Sequence, residues 1–521
     1  MPFVSLSDAS ARRYDLTIVG SGPAGLALAQ GALDRGLSVL ILEQGQQAPT
    51  SPDDATPVGK VRDPDRHVLP QIASCQALGG TFHWWGGRSV PLDPVDFTAP
   101  GGHPWPISYE EYAEWIPSAS RFLGVDSNYS RPIPGWENLD GLSANMVEHL
   151  CADVGLTSPR TREALDRADI LLASPVVELV AGTDGSVCKL KVHNAGAKAD
   201  VPVQTVALCC GGLESTRLLL SLQRQLPHVA GGDGGALGRS YMGHLTGAVA
   251  TLELERPGDW AAFAYSGTPR PSRRRLMLTE ADAMAKPHIA IAFWLENIRT
   301  EGPEHGVSIH SLRHLIGRLA GRTSHGSDLN AHLRNVFFEP ASLLSETKDS
   351  LRRRLRPKDR PADKLRRSRL NRYRLAYHSE HYPNAESQVH LTDETDQYGR
   401  PTLDIDFHFS SSDFDAVAKA HRALAARLEA SGLAKLSYED GRLSEQVASF
   451  ARDGYHQLGM TRMSDEPSSG VVDRNLRVHG LDNVYTVSTG VFPTSGQANP
   501  TLSIVCFSLR LAAHLEQLRP V

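Results

Sequence analysis

A short strand, a glycine-rich turn and a helix open this chain and constrain its fold more than any other feature. An apolar run at residues 16–19 ends in the sequence Gly-Ser-Gly-Pro-Ala-Gly at residues 20–25, and a helical stretch follows. A second apolar run, at residues 39–42, ends at Glu43. Strand, helix and strand within about 30 residues form a βαβ unit, which predicts a parallel sheet covered by helices.

Each glycine of this turn has its own physical role. Gly20 permits the tight turn after the strand, Gly22 lets a pyrophosphate approach the backbone, and Gly25 lets the helix pack closely on the strand. The free N–H groups and the positive dipole end of the helix face the phosphates. Glu43 stands 18 residues after Gly25. Its carboxylate can accept hydrogen bonds from ribose hydroxyls, which favours FAD or NAD over NADP.

The fingerprint by itself leaves FAD and NAD both open. Only one such unit is evident, at residues 15–43 of a chain of 521 residues. A flavoprotein that also bound NAD(P)H in the common two-nucleotide layout should show a second unit near the middle. The later pair Gly211 and Gly212 follows an apolar run but lacks the spacing. We interpret it as a second strand, turn and helix of the same nucleotide domain.

Composition limits the class of protein. At roughly 100–200 residues per domain, 521 residues predict two to four domains. The hydrophobic fraction of 40% and the charged fraction of 22% are ordinary for a soluble globular protein. The net charge of −5 gives no general reason to expect nucleic acid or an anionic membrane as a partner. No stretch approaches the roughly 20 apolar residues that span a bilayer, and no secretory signal is evident.

The cysteines favour a reducing compartment. The chain has six, irregularly spaced and without a CxxC pair. We therefore predict no bound metal and a cytoplasmic location.

One segment departs from the rest in charge. Residues 348–374 contain 13 Lys or Arg and three Asp. The simpler interpretation is a solvated helical arm or lid outside the nucleotide domain. The alternative is a docking surface for an anionic substrate, an acidic partner or a membrane face.

Motifs in fixed order along nearly the whole chain carry a family resemblance. The most specific are GYHQLGMTRM (454–463), GVVDRNLRVHGLDNVYTV (470–487) and VFPTSGQANPTLSIVCFSLRLA (491–512). Earlier ones are the βαβ unit and residues 79–87, 206–220, 235–244 and 380–406. Together they resemble the glucose–methanol–choline (GMC) oxidoreductase family.

The resemblance implies an α/β fold of two domains. A Rossmann-like FAD-binding domain is built from discontinuous segments, and a sheet-and-helix substrate-binding domain covers the reactive face of the flavin. The implied FAD-binding segments are residues 1–95, 166–245 and 446–521. The implied substrate-binding segments are residues 96–165 and 246–445.

The resemblance also implies a catalytic pair. Many members carry two histidines in the C-terminal blocks, whereas those similar to pyranose oxidase carry a histidine and an asparagine. Here the two positions are His456 and Asn499, which places the chain nearest the pyranose-oxidase-like and bacterial sugar-oxidising branch. The implied reaction is oxidation of a CH–OH group of a sugar, glycoside or polyol to a carbonyl. A non-sugar alcohol (aliphatic, aromatic or steroid) is the alternative substrate for the same mechanism.

The chemistry explains why these residue types are needed. Alcohol oxidation removes a proton from oxygen and a hydride from carbon, and flavin N5 accepts the hydride. The protein must supply a base within hydrogen-bond reach of the hydroxyl, a role that suits histidine. We predict that His456 is this base. We predict that Asn499 donates to the same hydroxyl or accepts from it.

The resemblance implies FAD that is not covalently attached. Pyranose oxidases attach FAD through a histidine just before the tryptophan of the Gly-Gly loop. Aligned on Trp85, that position is Trp84 here, and His83 lies one residue earlier. Ser488 stands where the family often has an aspartate, so contacts there are expected from the backbone. The predicted cofactor-binding residues are Gly20, Gly22, Ala24, Gly25, Glu43, Gly79, Gly80, Thr81, Trp85, Gly86, Val177, Gly211, Ser488, Pro500 and Thr501.

Some alternatives stay open and others lose support. A non-catalytic flavin-binding scaffold should lack the base or the glycine turn, and an amine or acid oxidase should lack the block with His456 and Asn499. The electron acceptor stays open between oxygen, a quinone and a redox protein, as does the oligomeric state.

Among the other histidines, His244 is expected to be structural near the dinucleotide, and His378 and His381 are expected at the surface of a strand or loop.

Overall fold

A computed structural model describes most of the chain. It covers residues 2–98, 103–151, 158–182, 185–265, 271–279, 289–298, 303–320, 328–337 and 365–519. Residues 348–364 of the basic segment lie outside these ranges. Within the described ranges, the helices are too short or too polar to pass through a bilayer.

Twenty strands and thirteen α-helices are described. The strands are β1 (Leu16–Val19), β2 (Val39–Leu42), β3 (Gly59–Val61), β4 (Arg88–Ser89), β5 (Leu142–Ser143), β6 (Val147–Leu150), β7 (Asp169–Leu171), β8 (Val176–Ala181), β9 (Val187–Asn194), β10 (Ala197–Pro202), β11 (Val206–Leu208), β12 (His244–Leu254), β13 (Ser272–Arg274), β14 (Leu276–Leu278), β15 (Ile291–Glu296), β16 (Arg372–Glu380), β17 (Gln388–Thr395), β18 (Pro401–Asp406), β19 (Ala434–Ser437) and β20 (Val484–Thr486). The helices are α1 (Leu6–Ala11), α2 (Pro23–Leu33), α3 (Pro70–Ala73), α4 (Tyr109–Ala113), α5 (Ile116–Leu123), α6 (Pro159–Arg167), α7 (Gly212–Gln225), α8 (Trp260–Phe263), α9 (Ser308–Leu319), α10 (Leu329–Phe337), α11 (Ser411–Ser431), α12 (Leu443–Phe450) and α13 (Thr501–Gln517).

A five-stranded parallel sheet has the order β20-β11-β1-β2-β7. In it, Thr17 of the central strand β1 lies between Val206 of β11 and Leu40 of β2. Every residue of β1 and β2 is buried, as expected for parallel strands with both faces covered. The α/β prediction is confirmed, and β1, α2 and β2 form the expected βαβ unit.

Helices α2 and α13 pack against each other beside this sheet. Their crossing is close because small residues meet there. A Cβ added to Gly31 of α2 would lie 2.8 Å from the Cβ of Ala512 on α13. Since α13 is the last helix of the chain, this contact ties the C-terminal segment to the first βαβ unit.

A six-stranded antiparallel sheet forms the centre of a second hydrophobic core. Its strand order is β19-β12-β16-β15-β14-β5. Helices α11 and α12 pack against it. The sequence predicts a helix over residues 413–432, and α11 covers 411–431 because Ser410 and Asp413 form a capping box at its start.

One end of the antiparallel sheet meets the nucleotide unit. At that end, His244 begins β12 and pairs with Glu380, the last residue of β16, and Thr246 pairs with His378. The backbone N–H of His381 donates to the hydroxyl of Ser495 at 2.9 Å. The sheet therefore brings two histidines, His244 and His378, to the boundary between the two cores.

Membership of the two hydrophobic cores indicates which segments belong to each predicted domain. Trp105, Tyr112 and Phe122 are buried in the core of the parallel sheet, and the Trp105 ring stacks on Phe507 of α13 with ring centroids 5.8 Å apart. We therefore propose that residues 105–125 belong to the nucleotide unit and not to the substrate-binding segment. The other boundaries stay predictions.

Candidate active site

A cavity of about 510 Å³ opens at the carboxyl ends of the parallel strands. Segments that follow β1, β2, β11 and β20 form much of its wall. Ligands bind at this edge in open parallel sheets. The sequence-predicted residues on the wall are Gly20, Gly22, Ala24, Glu43, Gly80, Thr81, Trp85, Gly86, Gly211, His456, Ser488, Asn499, Pro500 and Thr501.

Three predicted cofactor-binding residues are not on the wall. Gly25 packs beneath the turn, and the N–H of Gly79 donates to the Ser21 hydroxyl at 3.0 Å. Val177 is the third, and its neighbour Val176 lines the cavity instead, so the role of Val177 stays a prediction. Neighbouring side chains of an extended strand project to opposite faces, and the sequence pattern did not decide which face is inside.

The turn after β1 fits a phosphate group. Gly20 has φ +99°, and a Cβ there would lie 2.8 Å from the carbonyl oxygen of Cys209. A Cβ on Gly25 would lie 2.0 Å from the carbonyl oxygen of Gly20, whereas a Cβ on Gly22 would meet nothing within 4 Å. Gly22 is also the N-cap of α2. The open face at Gly22 and the free N–H groups of the helix start suit the pyrophosphate of a dinucleotide such as FAD.

Glu43 holds this turn together. One carboxylate oxygen accepts from the backbone N–H of Ser21 at 3.0 Å and from its hydroxyl at 2.5 Å. The other accepts from the N–H of Gly45 at 2.8 Å. Burial raises the pKa of Glu43, and these hydrogen bonds offset the rise only in part. The predicted hydrogen bonds from the ribose hydroxyls would therefore go to the lone pairs of the Glu43 carboxylate that Ser21 and Gly45 do not use.

The loop of residues 79–87 forms another part of the wall. Trp84 and Trp85 line the cavity. His83 is exposed, and its Nε2 donates to the carbonyl of Leu78 at 2.9 Å. Ser488, at the position where the family often has an aspartate, is buried on the wall, and its hydroxyl accepts from the N–H of Gly490 at 3.2 Å.

His456 lies on the cavity wall against a buried carboxylate. Its Nδ1 is 3.2 Å from Oδ2 of Asp453 and 2.9 Å from Nδ1 of His244. Asp453 also accepts from the backbone N–H groups of His244 and Tyr455. Burial opposes the ionisation of Asp453, yet His456, His244 and these hydrogen bonds hold its pKa at about 2. Asp453 is therefore an anion that accepts a hydrogen bond from His456.

Two backbone carbonyls decide which ring nitrogens carry protons. Nε2 of His244 faces the carbonyl oxygen of Ser495 at 3.3 Å, and Nδ1 of His378 faces that of Gln497 at 2.8 Å. A carbonyl only accepts, so both of these nitrogens are protonated. Burial lowers the pKa of His244 well below its ordinary value, so its Nδ1 has no proton. Nδ1 of His456 must then be the donor, so the lone pair of the neutral ring is on Nε2.

The predictions for His378 and His381 were wrong, because both are buried. His378 stacks on His244 with ring centroids 4.2 Å apart. Ring nitrogens of His244, His378 and His456 lie within 4.8 Å of one another, close enough to hold a metal ion, where the sequence predicted none. Because the Nδ1 proton of His456 lies between His244 and Asp453, we assign this cluster a hydrogen-bonding role.

Asn499 lies on the same wall and contacts a buried arginine. Its Oδ1 accepts from Nη2 of Arg275 at 2.9 Å. Sequence reasoning missed this arginine, because the run Arg273 to Arg275 carries no signal that distinguishes its members. Asp453 was detectable in principle, since it stands three residues before His456.

The sequence of this region matches a known family. Residues 383–508, which include His456 and Asn499, match the family described as GMC oxidoreductase. The C-terminal segment that carries these two residues is therefore of the GMC oxidoreductase type. Together with the relatives named below, the match shows an oxidoreductase that acts on alcohols.

Several named proteins are similar to this chain. The 6'''-hydroxyparomomycin C oxidase of Streptomyces lividus is 26% identical, with 97% of this chain and 92% of that protein covered. The paromamine 6'-oxidase of Streptomyces fradiae is 32% identical over 131 residues, which are 25% of this chain and 23% of that protein. The 2-methyl-1,2-propanediol dehydrogenase of Mycolicibacterium austroafricanum is 22% identical, with 98% and 96% covered.

Solved structures share the fold. Pyridoxine 4-oxidase from Mesorbium loti has a TM-score of 0.54 and 16% identity, with 97% of this chain and all of that chain covered. A fungal aryl-alcohol oxidase has the same TM-score and identity, with 97% and 99% covered. At this identity the likeness shows the fold.

Two glycine variants should separate folding from cofactor binding in this protein. Gly25→Ala should lower the melting temperature, because its methyl group would overlap the Gly20 carbonyl and overpacking costs about 1–3 kcal/mol. Gly22→Ala should leave the melting temperature of the flavin-free protein unchanged but lower the ratio of bound flavin to protein. Full flavin retention by a folded Gly22→Ala variant would show that no phosphate approaches this glycine.

Proposed function

We propose that the chain binds FAD without a covalent link and oxidises a CH–OH group of a sugar, glycoside or polyol to a carbonyl. The observation that carries the proposal is the meeting of two features in one cavity. The glycine turn occupies one part of the wall, and His456 and Asn499 occupy another. Two relatives named as oxidases of aminoglycoside compounds support a sugar-like substrate.

The residues present suit FAD. The turn at Gly20 and Gly22 would hold the pyrophosphate, Glu43 would receive the ribose, and the loop with Trp85 would lie along the flavin. When bound there, the flavin supplies the acceptor for the hydride.

The six cysteines, free in the structure, support the cytoplasmic location predicted from the sequence.

His456 would take the hydroxyl proton. Its lone pair on Nε2 accepts that proton, and its Nδ1–H remains bonded to Asp453. The Asp453 anion then faces a positively charged imidazolium, which stabilises the proton-transferred state. The proton therefore stays on the protein while the carbon loses its hydride.

A substrate panel tests the proposed function. Sugars, aminoglycosides, polyols, benzyl alcohol and short aliphatic alcohols should be assayed with a dye acceptor and, in parallel, in an oxygen electrode. We expect turnover with sugars, glycosides or polyols. Turnover confined to benzyl or aliphatic alcohols would overturn the sugar assignment, and the oxygen electrode distinguishes an oxidase from a dehydrogenase.

The flavin should be released by acid. The histidine that could form a link, His83, is exposed and donates to the Leu78 carbonyl, and the attachment position holds Trp84. Precipitation with trichloroacetic acid should leave yellow FAD in the supernatant. Flavin that stays in the pellet on a peptide containing His83 would contradict non-covalent binding.

His456→Ala should slow reduction of the flavin by substrate about 10²-fold or more, because general-base catalysis contributes roughly 10²–10⁴-fold. Flavin content should be unchanged, since the glycine turn lies elsewhere on the wall. The measurement is bleaching of the flavin in anaerobic stopped flow. A rate close to wild type would remove His456 as the base.

Asp453→Asn should also slow flavin reduction, by about 10²-fold. The neutral asparagine no longer stabilises the imidazolium that forms when Nε2 takes the substrate proton, and its NH₂ can compete with the Nδ1–H of His456. Asp413→Asn is the matched control, because Asp413 is a buried aspartate that caps α11. Equal rates in both variants would show that Asp453 does not act through His456.

A further inference from the structure

A buried ionic cluster lies behind Asn499. Arg275 is 0% exposed, and its Nε donates to Oε2 of Glu148 at 2.8 Å. Its Nη1 donates to the carbonyl oxygen of Gln497 at 3.2 Å, and its Nη2 donates to Oδ1 of Asn499 at 2.9 Å. The guanidinium therefore joins the carboxylate of Glu148 to the segment that carries Asn499.

Glu148 is ionised and holds this guanidinium in place. It also accepts from Arg273 at 3.2 Å and from the hydroxyl of Tyr265 at 3.1 Å. Burial alone would raise the pKa of Glu148, but Arg273, Arg275 and Arg88 bring it well below its ordinary value. Arg273 in turn lies over the Trp294 ring, 4.2 Å from its centroid.

The guanidinium fixes the orientation of the Asn499 amide. The oxygen and nitrogen ends of an amide have nearly the same shape, so their assignment depends on their partners. A guanidinium has donors and no acceptor, so the oxygen end of Asn499 must face Arg275. The NH₂ end then points away from Arg275. Gln497 follows the same rule, since its NH₂ donates to Asp93 at 2.9 Å and its oxygen faces Arg275.

We propose that Arg275 is a positioning residue that makes Asn499 a hydrogen-bond donor, and not an acceptor, toward the substrate oxygen. The proposal rests on the proposed function. Under this proposal, two groups contact the substrate oxygen: His456 accepts the hydroxyl proton, and Asn499 donates a hydrogen bond to a lone pair of the oxygen. The Asn499 bond strengthens as the oxygen gains negative charge, so it favours the transition state over the bound alcohol.

The Asn499→Asp variant separates the donor role from the acceptor role. The aspartate keeps an oxygen for Arg275 but replaces the NH₂ by a second acceptor. If Asn499 donates, Asn499→Asp should slow flavin reduction at least as much as Asn499→Ala, by about 10²-fold or more, as for loss of one donor to a developing oxyanion. If Asn499→Asp reduces within a few-fold of wild type, the donor assignment is wrong.

A double-mutant cycle tests the part played by Arg275. Arg275→Lys keeps a charge for Glu148 but loses the fixed fork of donors. It should lower the reduction rate about tenfold or more in the wild-type background and have little further effect in the Asn499→Ala background. Arg273→Lys is the matched control, since Arg273 shares Glu148. Equal slowing by Arg275→Lys in both backgrounds would show that Arg275 acts without Asn499.

A binding measurement keeps the test independent of turnover. Acetate presents an anionic oxygen to a donor, and its binding is read as a change in the absorption spectrum of the oxidised flavin. Wild type should bind acetate, and the neutral Asn499→Ala variant should bind it at least tenfold more weakly. Equal or tighter binding by Asn499→Ala overturns the donor assignment. If no alcohol bleaches the wild-type flavin, the proposed function fails, and the titration still decides the orientation of Asn499.

Discussion

The carbonyl groups of Ser495 and Gln497 determine where the protons of this site lie. Each accepts from a buried histidine, and each thereby fixes which nitrogen of that ring is protonated. With His244 fixed, Nδ1 of His456 has acceptors on both sides, His244 and the Asp453 anion. The proton position of His456 is thus set by the Asp453 anion, which contacts it, and by the Ser495 carbonyl, which acts through His244.

The fold explains why these groups meet. His244 and His378 come from paired strands at one end of the antiparallel sheet, whereas the two carbonyls and Asn499 come from the loop that precedes α13. Helix α13 is held against α2 at Gly31 and Ala512. The packing of the first βαβ unit therefore also fixes the loop that carries Asn499.

The sequence predicted the parts of the site that are local in the chain. The βαβ unit, the glycine turn, His456 and Asn499 all belong to short motifs. The contacts between His378 and Gln497 and between Arg275 and Asn499 join residues 119 and 224 positions apart, and no short pattern marks them. His378 was expected at the surface because its strand is rich in polar residues. Yet six consecutive residues of that strand, from Leu375 to Glu380, are buried, because both of its faces are covered.

A buried ion pair beside an active site needs a reason, since desolvation of the two charges offsets much of their attraction. For Arg275 and Glu148, the reason is the nearly symmetric shape of the Asn499 amide. Rotating Asn499 by half a turn exchanges donor and acceptor at almost no steric cost, and a neighbour that can both donate and accept would allow either state. A guanidinium only donates, so it excludes one of them. The carboxylate of Asp453, which only accepts, imposes the same choice on His456. The two buried charges therefore give the two cavity-facing groups opposite and fixed polarity, which suits the proposed removal of a proton from one oxygen.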